Sequence, residues 1–226
     1  MDVSLTGFAP LGDRVWWARA EPASVTVGLV AGGTGCLVVD TGSCPSQGRA
    51  IRAAAEATAG VPVVAAVVTH HHYDHLFGLA AFADVATYGH RSIPGSVLRH
   101  AGLARELAEM GLSRADLARP GRAFRRRAAL DLGGRPVGIT HLGPAHTPGD
   151  SVVIVPDADL VFAGDLVEEA GPPSIELDTS LPGWLRALDR LLRRCGPATT
   201  VVPGHGRPVD RAFVAAQRAW LAAAAP

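Results

Sequence analysis

Two periods of apolar and polar positions organise this chain. Short β-branched runs at residues 15–20 and 25–30 are separated by turn residues, and a third run at 35–40 follows the turn Gly32-Gly33-Thr34-Gly35. These predict an opening set of strands. Residues 46–59 carry Ile, Ala and Arg at helical spacing. The next run, 61–68, is almost continuously apolar between Pro62 and Thr69, the pattern of a strand covered on both faces. Residues 76–82 predict a short helix, 85–88 a strand, and 95–119 a helix with weaker periodicity. Two short runs within 129–141 flank Gly133-Gly134 and predict a hairpin.

The last third repeats the alternation. Strands are predicted at 151–155 and 160–163 across the turn at 156–159, an amphipathic helix at 182–194, a strand at 199–202 and a closing helix at 209–224. Strands in both halves, with helices between and after them, predict an α+β fold in which two packed sheets are covered outside by helices. No repeat of fixed period and no linker interrupts the pattern, so 1–226 is expected to form one domain.

Composition narrows the function. Of the 226 residues, 48% are hydrophobic and the mean hydropathy is +0.20, enough for a sizeable core. All 21 basic residues are arginine and they balance 21 acidic ones, which argues against the basic footprint of a nucleic-acid binder. Cys36, Cys44 and Cys195 are an odd number without CxxC spacing, which points away from a disulfide framework and a thiolate zinc site. The N-terminal stretch lacks a basic start followed by an apolar run, and no apolar segment reaches the ~18 residues that a membrane span needs. A cytoplasmic protein acting on a small-molecule substrate, with no membrane or nucleic-acid partner, is expected.

The chemistry concentrates in Thr69-His70-His71-His72-Tyr73-Asp74-His75, which holds the pattern H-x-H-x-D-H directly after the predicted buried strand. In an extended loop His70 and His72 point the same way, and the turn opening the next helix swings Asp74 and His75 toward a neighbouring position. One metal ion can take the first pair and a second ion the other. Imidazole and carboxylate suit borderline cations such as zinc, but a catalytic zinc usually has three protein ligands and an open position. Further ligands must come from elsewhere. Three Gly- and Pro-rich segments beside predicted strands each offer one: His146 in 143–150, Asp165 in 162–166 and His205 in 202–206.

These elements in this order, together with Val38-Val39-Asp40-Thr41-Gly42, resemble the metallo-β-lactamase superfamily over about residues 15–208. The resemblance implies an αββα four-layer sandwich with the site at one edge of the two sheets. It implies that His70, His72 and His146 hold a first metal, that Asp74, His75 and His205 hold a second, and that Asp165 bridges them. Asp40 would steady the ligand loop from behind. The implied cofactor is a pair of zinc ions, with iron or manganese also suited to the ligands. Two such ions acidify a shared water, so that a bridging hydroxide attacks the substrate carbonyl, with Asp74 as the catalytic side chain that orients it or passes its proton on.

An aspartate at position 165 resembles the glyoxalase II-like thioesterases and the lactonases more than true β-lactamases, which typically have a cysteine or a small residue there. The expected activity is hydrolysis of an ester, thioester or lactone. A mononuclear iron persulfide dioxygenase, a β-lactamase and a phosphodiesterase or nuclease are the alternatives on the same fold. His71, His90, His100 and His141 are expected to be structural, Trp16, Trp17 and Trp184 to pack in the core, and the arginines at 122, 125, 126 and 127 to be a solvated run. The Gly32–Gly35 turn lacks the G-K-[ST] ending of a phosphate loop. The segment 91–128 is the expected lid or specificity wall.

Overall fold

The computed structural model describes residues 3–224; positions 1, 2, 225 and 226 of the expected domain lie outside the described residues. In chain order the first half gives β1 (Ser4–Leu5), β2 (Ala9–Gly12), β3 (Val15–Glu21), β4 (Val25–Ala31) and β5 (Cys36–Val39). Helix α1 (Pro45–Ala59), β6 (Val63–Val67) and the single turn α2 (Tyr73–Leu76) follow, α2 running into a 3-10 helix at Phe77–Phe82. Then come β7 (Ala86–His90), α3 (Ile93–Arg99), α4 (Leu103–Met110) and β8 (Arg122–Phe124). The second half gives β9 (Arg127–Asp131), β10 (Pro136–His141), β11 (Ser151–Val155), β12 (Leu160–Glu168), α5 (Leu181–Leu192), β13 (Thr200–His205) and α6 (Arg211–Ala224).

The strands join in the order β8-β7-β6-β5-β4-β13-β12-β11-β10-β9, with β3 on the outside of β4 and β1 and β2 on β3. The link between β4 and β13 is a single register pair, Val25 with His205. So weak a seam lets the path fold on itself as two sheets. Val30, Leu37, Val39 and Val67 of one sheet share a core with Val137, Ile139, Val153, Phe162 and Val202 of the other. Gly28 of β4 allows this approach, because a Cβ there would lie 2.5 Å from the Phe162 ring.

Each sheet buries its outer face under helices. Val27, Leu29, Val38 and Ala66 pack against Ile51 and Ala55 of α1 and against Phe77 and Leu79. Val152, Val161 and Val201 pack against Trp184, Leu188 and Leu191 of α5 and Val214 and Leu221 of α6. Three apolar cores between four layers is the expected αββα arrangement. It also explains why the run at 61–68 is apolar throughout: Ala65 and Val67 face the central core while Val63, Ala66 and Val68 face α1.

Local signals place the helices. Pro45 opens α1, and Gly60 closes it in the left-handed region, with apolar Ile51, Ala55 and Ala59 in register on the buried side. In α5 the Ser180 hydroxyl accepts from Gly183 N at 3.2 Å, and Trp184, Ala187, Leu188 and Leu191 form the buried stripe.

One predicted helix needs correction. The helix predicted over 95–119 is two short helices, broken at His100-Ala101-Gly102, where His100 is extended and α4 restarts at Leu103. The arginines at 122, 125, 126 and 127 are all exposed, as expected. Arg122 belongs to β8, donates to the Tyr88 hydroxyl at 2.9 Å and stacks over that ring, because β8 extends the first sheet beside β7. Three strands, β1, β2 and β8, were not predicted; each is two to four residues long and defined by its partner.

Several other sequence features can be placed in the fold. Trp184 is fully buried, and Trp16 and Trp17 pack on opposite faces of β3. The Gly32–Gly35 turn docks on the β9–β10 hairpin, with Gly33 N donating to Gly133 O and Thr34 N to Leu132 O. All three cysteines are free and buried, and burial pushes the Cys36 thiol up to about 12. Among the described residues no helix is long and apolar enough to cross a membrane.

Candidate metal centre

The two sheets meet where β5, β6, β12 and β13 end or bend, and there the sequence-predicted side chains converge. The ligand atoms of His70, His72, His146 and Asp165 lie within 4.8 Å of one another, and so do those of Asp74, His75 and His205. Asp165 stands between the groups: its Oδ2 is 3.5 Å from His146 Nε2, 3.7 Å from His70 Nε2 and 3.5 Å from His205 Nε2, and its Oδ1 is 3.1 Å from His75 Nε2. Asp74 Oδ2 lies 3.3 Å from His205 Nε2 and 3.6 Å from His75 Nε2. All seven candidates come together.

Only His146 lies in a loop between strands, as expected of all three distal residues. Asp165 sits inside β12 and His205 is the last residue of β13. The reason is a pair of glycines. Gly164, at φ 54°, shifts the β12 register and fits against Thr69, while a Cβ on Gly204 would overlap Asp165 Oδ1. The glycines read as loop signals are places where the backbone must make room for a carboxylate.

Hydrogen bonds from behind fix which nitrogen each imidazole presents. Asp40 Oδ2 is 2.8 Å from His75 Nδ1; a carboxylate only accepts, so Nδ1 carries the proton and Nε2 faces the cluster. Asp40 also accepts from Thr69 N at 2.8 Å and from the Thr69 hydroxyl at 2.9 Å. That hydroxyl then accepts from His70 Nδ1 at 3.1 Å, leaving His70 Nε2 free. His146 Nδ1 donates to Ser174 O at 3.0 Å, which likewise frees its Nε2. Asp40 therefore has the supporting place assigned to it, in contact with both Thr69 and His75. The backbone is tied as well, with the His75 carbonyl accepting from Thr41 N and Oγ1.

Several of these atoms have no ordinary partner. The Nε2 atoms of His70 and His75 and the Oδ1 of Asp165 are buried without a hydrogen bond. Such groups are destabilising in isolation. His146 Nε2 and His72 Nδ1 approach to 3.0 Å with their rings at 90°. Two lone pairs do not sit so close unless a proton or a cation lies between them. A convergent set of N and O donors of this kind, buried and aimed at one point, fits a metal ion.

Electrostatics divides the set. Burial, reinforced by His75, drives His70 well below the ordinary imidazole range, and burial with His146 pushes His72 down to about 2. Both are neutral, as ligands must be. Burial also opposes charge on His75 and His205, but Asp165 and Asp74 outweigh it, so His75 is held well above its usual value and His205 is raised to about 11. Burial likewise opposes charge on Asp74 and Asp165, and His75 and His205 overcome it, lowering both carboxyls.

A cavity of about 660 Å³ opens over the cluster. Its floor is His72, Asp74, His146, Asp165 and His205, and its wall is Ser96, Arg99, His100, Arg105 and Glu106 from the 91–128 segment. Two wall residues were not foreseen. Glu168 is buried, accepts from Ser174 N at 3.0 Å and has its carboxyl raised to about 7, by burial first and then by Asp165. Ser174 joins it to His146. Their only sequence signal is proximity to Asp165. His90 and His141 are structural as expected, stacked at 4.0 Å and bonded to Arg125 O and Asp150 O.

A family model described as the metallo-beta-lactamase superfamily matches residues 20–205. A linear primary-alkylsulfatase from Pseudomonas sp. (strain ATCC 19151) is 25% identical over 218 residues, 78% of this chain and 40% of that protein. The chain thus spans two fifths of that relative's length. The acyl-coenzyme A thioesterase MBLAC2 of Gallus gallus is 25% identical over 221 residues, 87% of this chain and 79% of that one. The solved structure of the metallo-beta-lactamase FIM-1 from Pseudomonas aeruginosa in its mono-zinc form superimposes with a TM-score of 0.75 at 25% identity, covering 99% of this chain and 97% of that one.

Proposed function

The chain belongs to the metallo-beta-lactamase superfamily, and from that premise we propose that it is a dinuclear zinc hydrolase of an ester, thioester or lactone carbonyl in a small-molecule substrate. One observation carries the reading: seven His and Asp side chains converge in two groups, with Asp165 reaching both, and the Nε2 atoms of His70 and His75 and the Oδ1 of Asp165 are buried without a hydrogen bond. The relative named as an acyl-coenzyme A thioesterase, which this chain matches over 79% of its length, supports thioester chemistry.

On this reading His70, His72 and His146 would hold one ion and Asp74, His75 and His205 the other, and the Asp165 carboxylate, within reach of both groups, would serve each. Ions bound there would supply an acidified water as nucleophile and a Lewis acid for the carbonyl oxygen. The side chains do the rest. Asp40, Thr69 and Ser174 lock the tautomers, so the imidazoles meet the ions with no reorganisation at the moment of reaction. Asp74 reaches the cavity from the start of α2; its carboxylate is placed to take a proton from the nucleophile and return it to the leaving group. The wall from α3 and α4 screens the reaction from bulk water and selects the substrate.

A panel of thioesters, lactones, alkyl sulfates, β-lactams and phosphodiesters, assayed with the zinc-loaded protein, tests the proposal. Turnover of a carbonyl substrate that chelation abolishes and zinc restores is the expected result. Turnover confined to alkyl sulfates or phosphodiesters, or undiminished after chelation, would overturn it.

A further inference from the structure

A second histidine cluster adjoins the same cavity and overlaps the first at His72. Ligand atoms of His71, His72 and His100 lie within 4.8 Å of one another. The ring centroids of His71 and His72 are 4.8 Å apart, those of His72 and His100 5.3 Å, and those of His71 and His100 5.7 Å. His100, His72 and Asp178 all reach the cavity, and Asp178 Oδ2 is 3.5 Å from His71 Nε2.

His71 is the informative member. It alternates away from His70 on the ligand loop, so it was expected to be a structural histidine. A structural histidine in a core has its nitrogens paired, as His90 does through Ser92 and Arg125 O. His71 is only 2% exposed, yet neither ring nitrogen has a hydrogen-bond partner.

His72 tells the same story from its other side. Its Nδ1 faces His146 and the first cluster, and its Nε2 is buried without a partner. His100 is oriented by a carboxylate: its Nε2 lies 2.8 Å from Glu106 Oε1, which leaves Nδ1 as the nitrogen with a free lone pair. A carboxylate behind an imidazole is the arrangement that fixes the tautomer of a metal ligand and raises its basicity.

We propose that His71, His72 and His100, with the Asp178 carboxylate at the rim, form an additional cation site on the cavity wall that shares the His72 ring with the first cluster; a neutral imidazole has one lone pair, so the shared ring would serve both as an imidazolate, its Nε2 proton passing to solvent as the cation binds. The donors, three imidazoles and one carboxylate, select a borderline divalent cation such as zinc over calcium or magnesium. Tetrahedral zinc with bonds of about 2.0–2.1 Å would need its ligand atoms about 3.4 Å apart, so side-chain movements of no more than about 1.4 Å would complete the site. A cation there would sit beside the reaction centre and face the cavity, where it would attract an anionic group of a substrate. The shared ring rests on the proposed first-cluster ligand set; the other three donors do not.

Zinc counting by native mass spectrometry on the stripped and reloaded full chain tests this. Wild type is expected to bind one more ion than His100→Ala and than His71→Ala, and the double variant to lose no further ion. Equal counts for wild type and His100→Ala would overturn the proposal; His100 is partly exposed, so that variant decides even if His71→Ala fails to fold. Parallel counts on His205→Ala separate this site from the first: should only that variant leave the count unchanged, the two-ion reading fails while the additional site stands.

Discussion

The Asp40 carboxylate and the His75 imidazole are 2.8 Å apart and both buried, with Asp40 in the left-handed region at φ 64°. This contact sets the direction of His75 Nε2, and Thr69 carries the same carboxylate's influence to His70. One residue at the end of β5 therefore orients a ligand of each proposed ion.

Asp40→Ala leaves Thr69 N and His75 Nδ1 buried and unpaired, at a cost of about 3 kcal/mol. Zinc affinity is expected to fall roughly 10- to 100-fold. Asp40→Asn separates the effects. Asparagine tolerates the left-handed backbone and still accepts from Thr69 N, but its amide offers His75 Nδ1 a donor where an acceptor is needed. Urea unfolding should show Asn milder than Ala, while zinc competition should show both weakened; native zinc affinity in Asp40→Asn would refute the tautomer lock.

Gly204→Ala tests the fit around Asp165. A Cβ there overlaps Asp165 Oδ1 and also comes within 2.8 Å of Asp165 N and Gly164 C, on a strand that β12 holds in parallel register, so both the carboxylate and the β12 backbone must move. Destabilisation of about 1–3 kcal/mol and loss of bound zinc are expected. Gly171→Ala is the control, since a Cβ at that position meets nothing. Equal zinc content in the two variants would show that Asp165 is not needed where it stands.

Zinc binding should release protons. His75 and His205 have raised values and so hold a proton at neutral pH without a metal, whereas His70 and His72 are depressed and hold none. A ligand must shed its proton to bind, so zinc affinity at Asp74, His75 and His205 rises with pH through the neutral range, up to about 11 for His205, and falls as pH drops. Calorimetry at pH 7 in buffers of different ionisation enthalpy should report about two protons released for that ion and none from His70 or His72 for the ion at His70, His72 and His146. Buffer-independent enthalpy would refute this assignment.

Asp74→Ala is expected to keep the fold and the His70, His72 and His146 site while turnover falls on the order of 10²-fold or more. Circular dichroism, zinc content and turnover on the best substrate would be compared. Wild-type activity in this variant would remove Asp74 from the mechanism.

Much of this was legible in the sequence because its signals are local. The H-x-H-x-D-H run, the apolar strand before it and the helical stripes in α1 and α5 follow from periods of two and 3.6 residues. What escaped is set by distant partners. β1, β2 and β8 exist through pairing with β3 and β7, the break at His100–Gly102 through packing of two short helices, and the tight fit at Gly204 through Asp165, 39 positions earlier in the chain. His71 shows the limit from the other direction. Alternation turns it away from His70, and only the fold brings His100 and Asp178 to meet it.

Anomalous diffraction at the zinc edge, from crystals of the zinc-reloaded protein, measures the proposed first cluster most directly. Two peaks roughly 3.5–4 Å apart are expected, one among His70, His72 and His146 and one among Asp74, His75 and His205, with Asp165 between them. A single peak away from Asp165, or no zinc at all among these seven side chains, would contradict the dinuclear hydrolase.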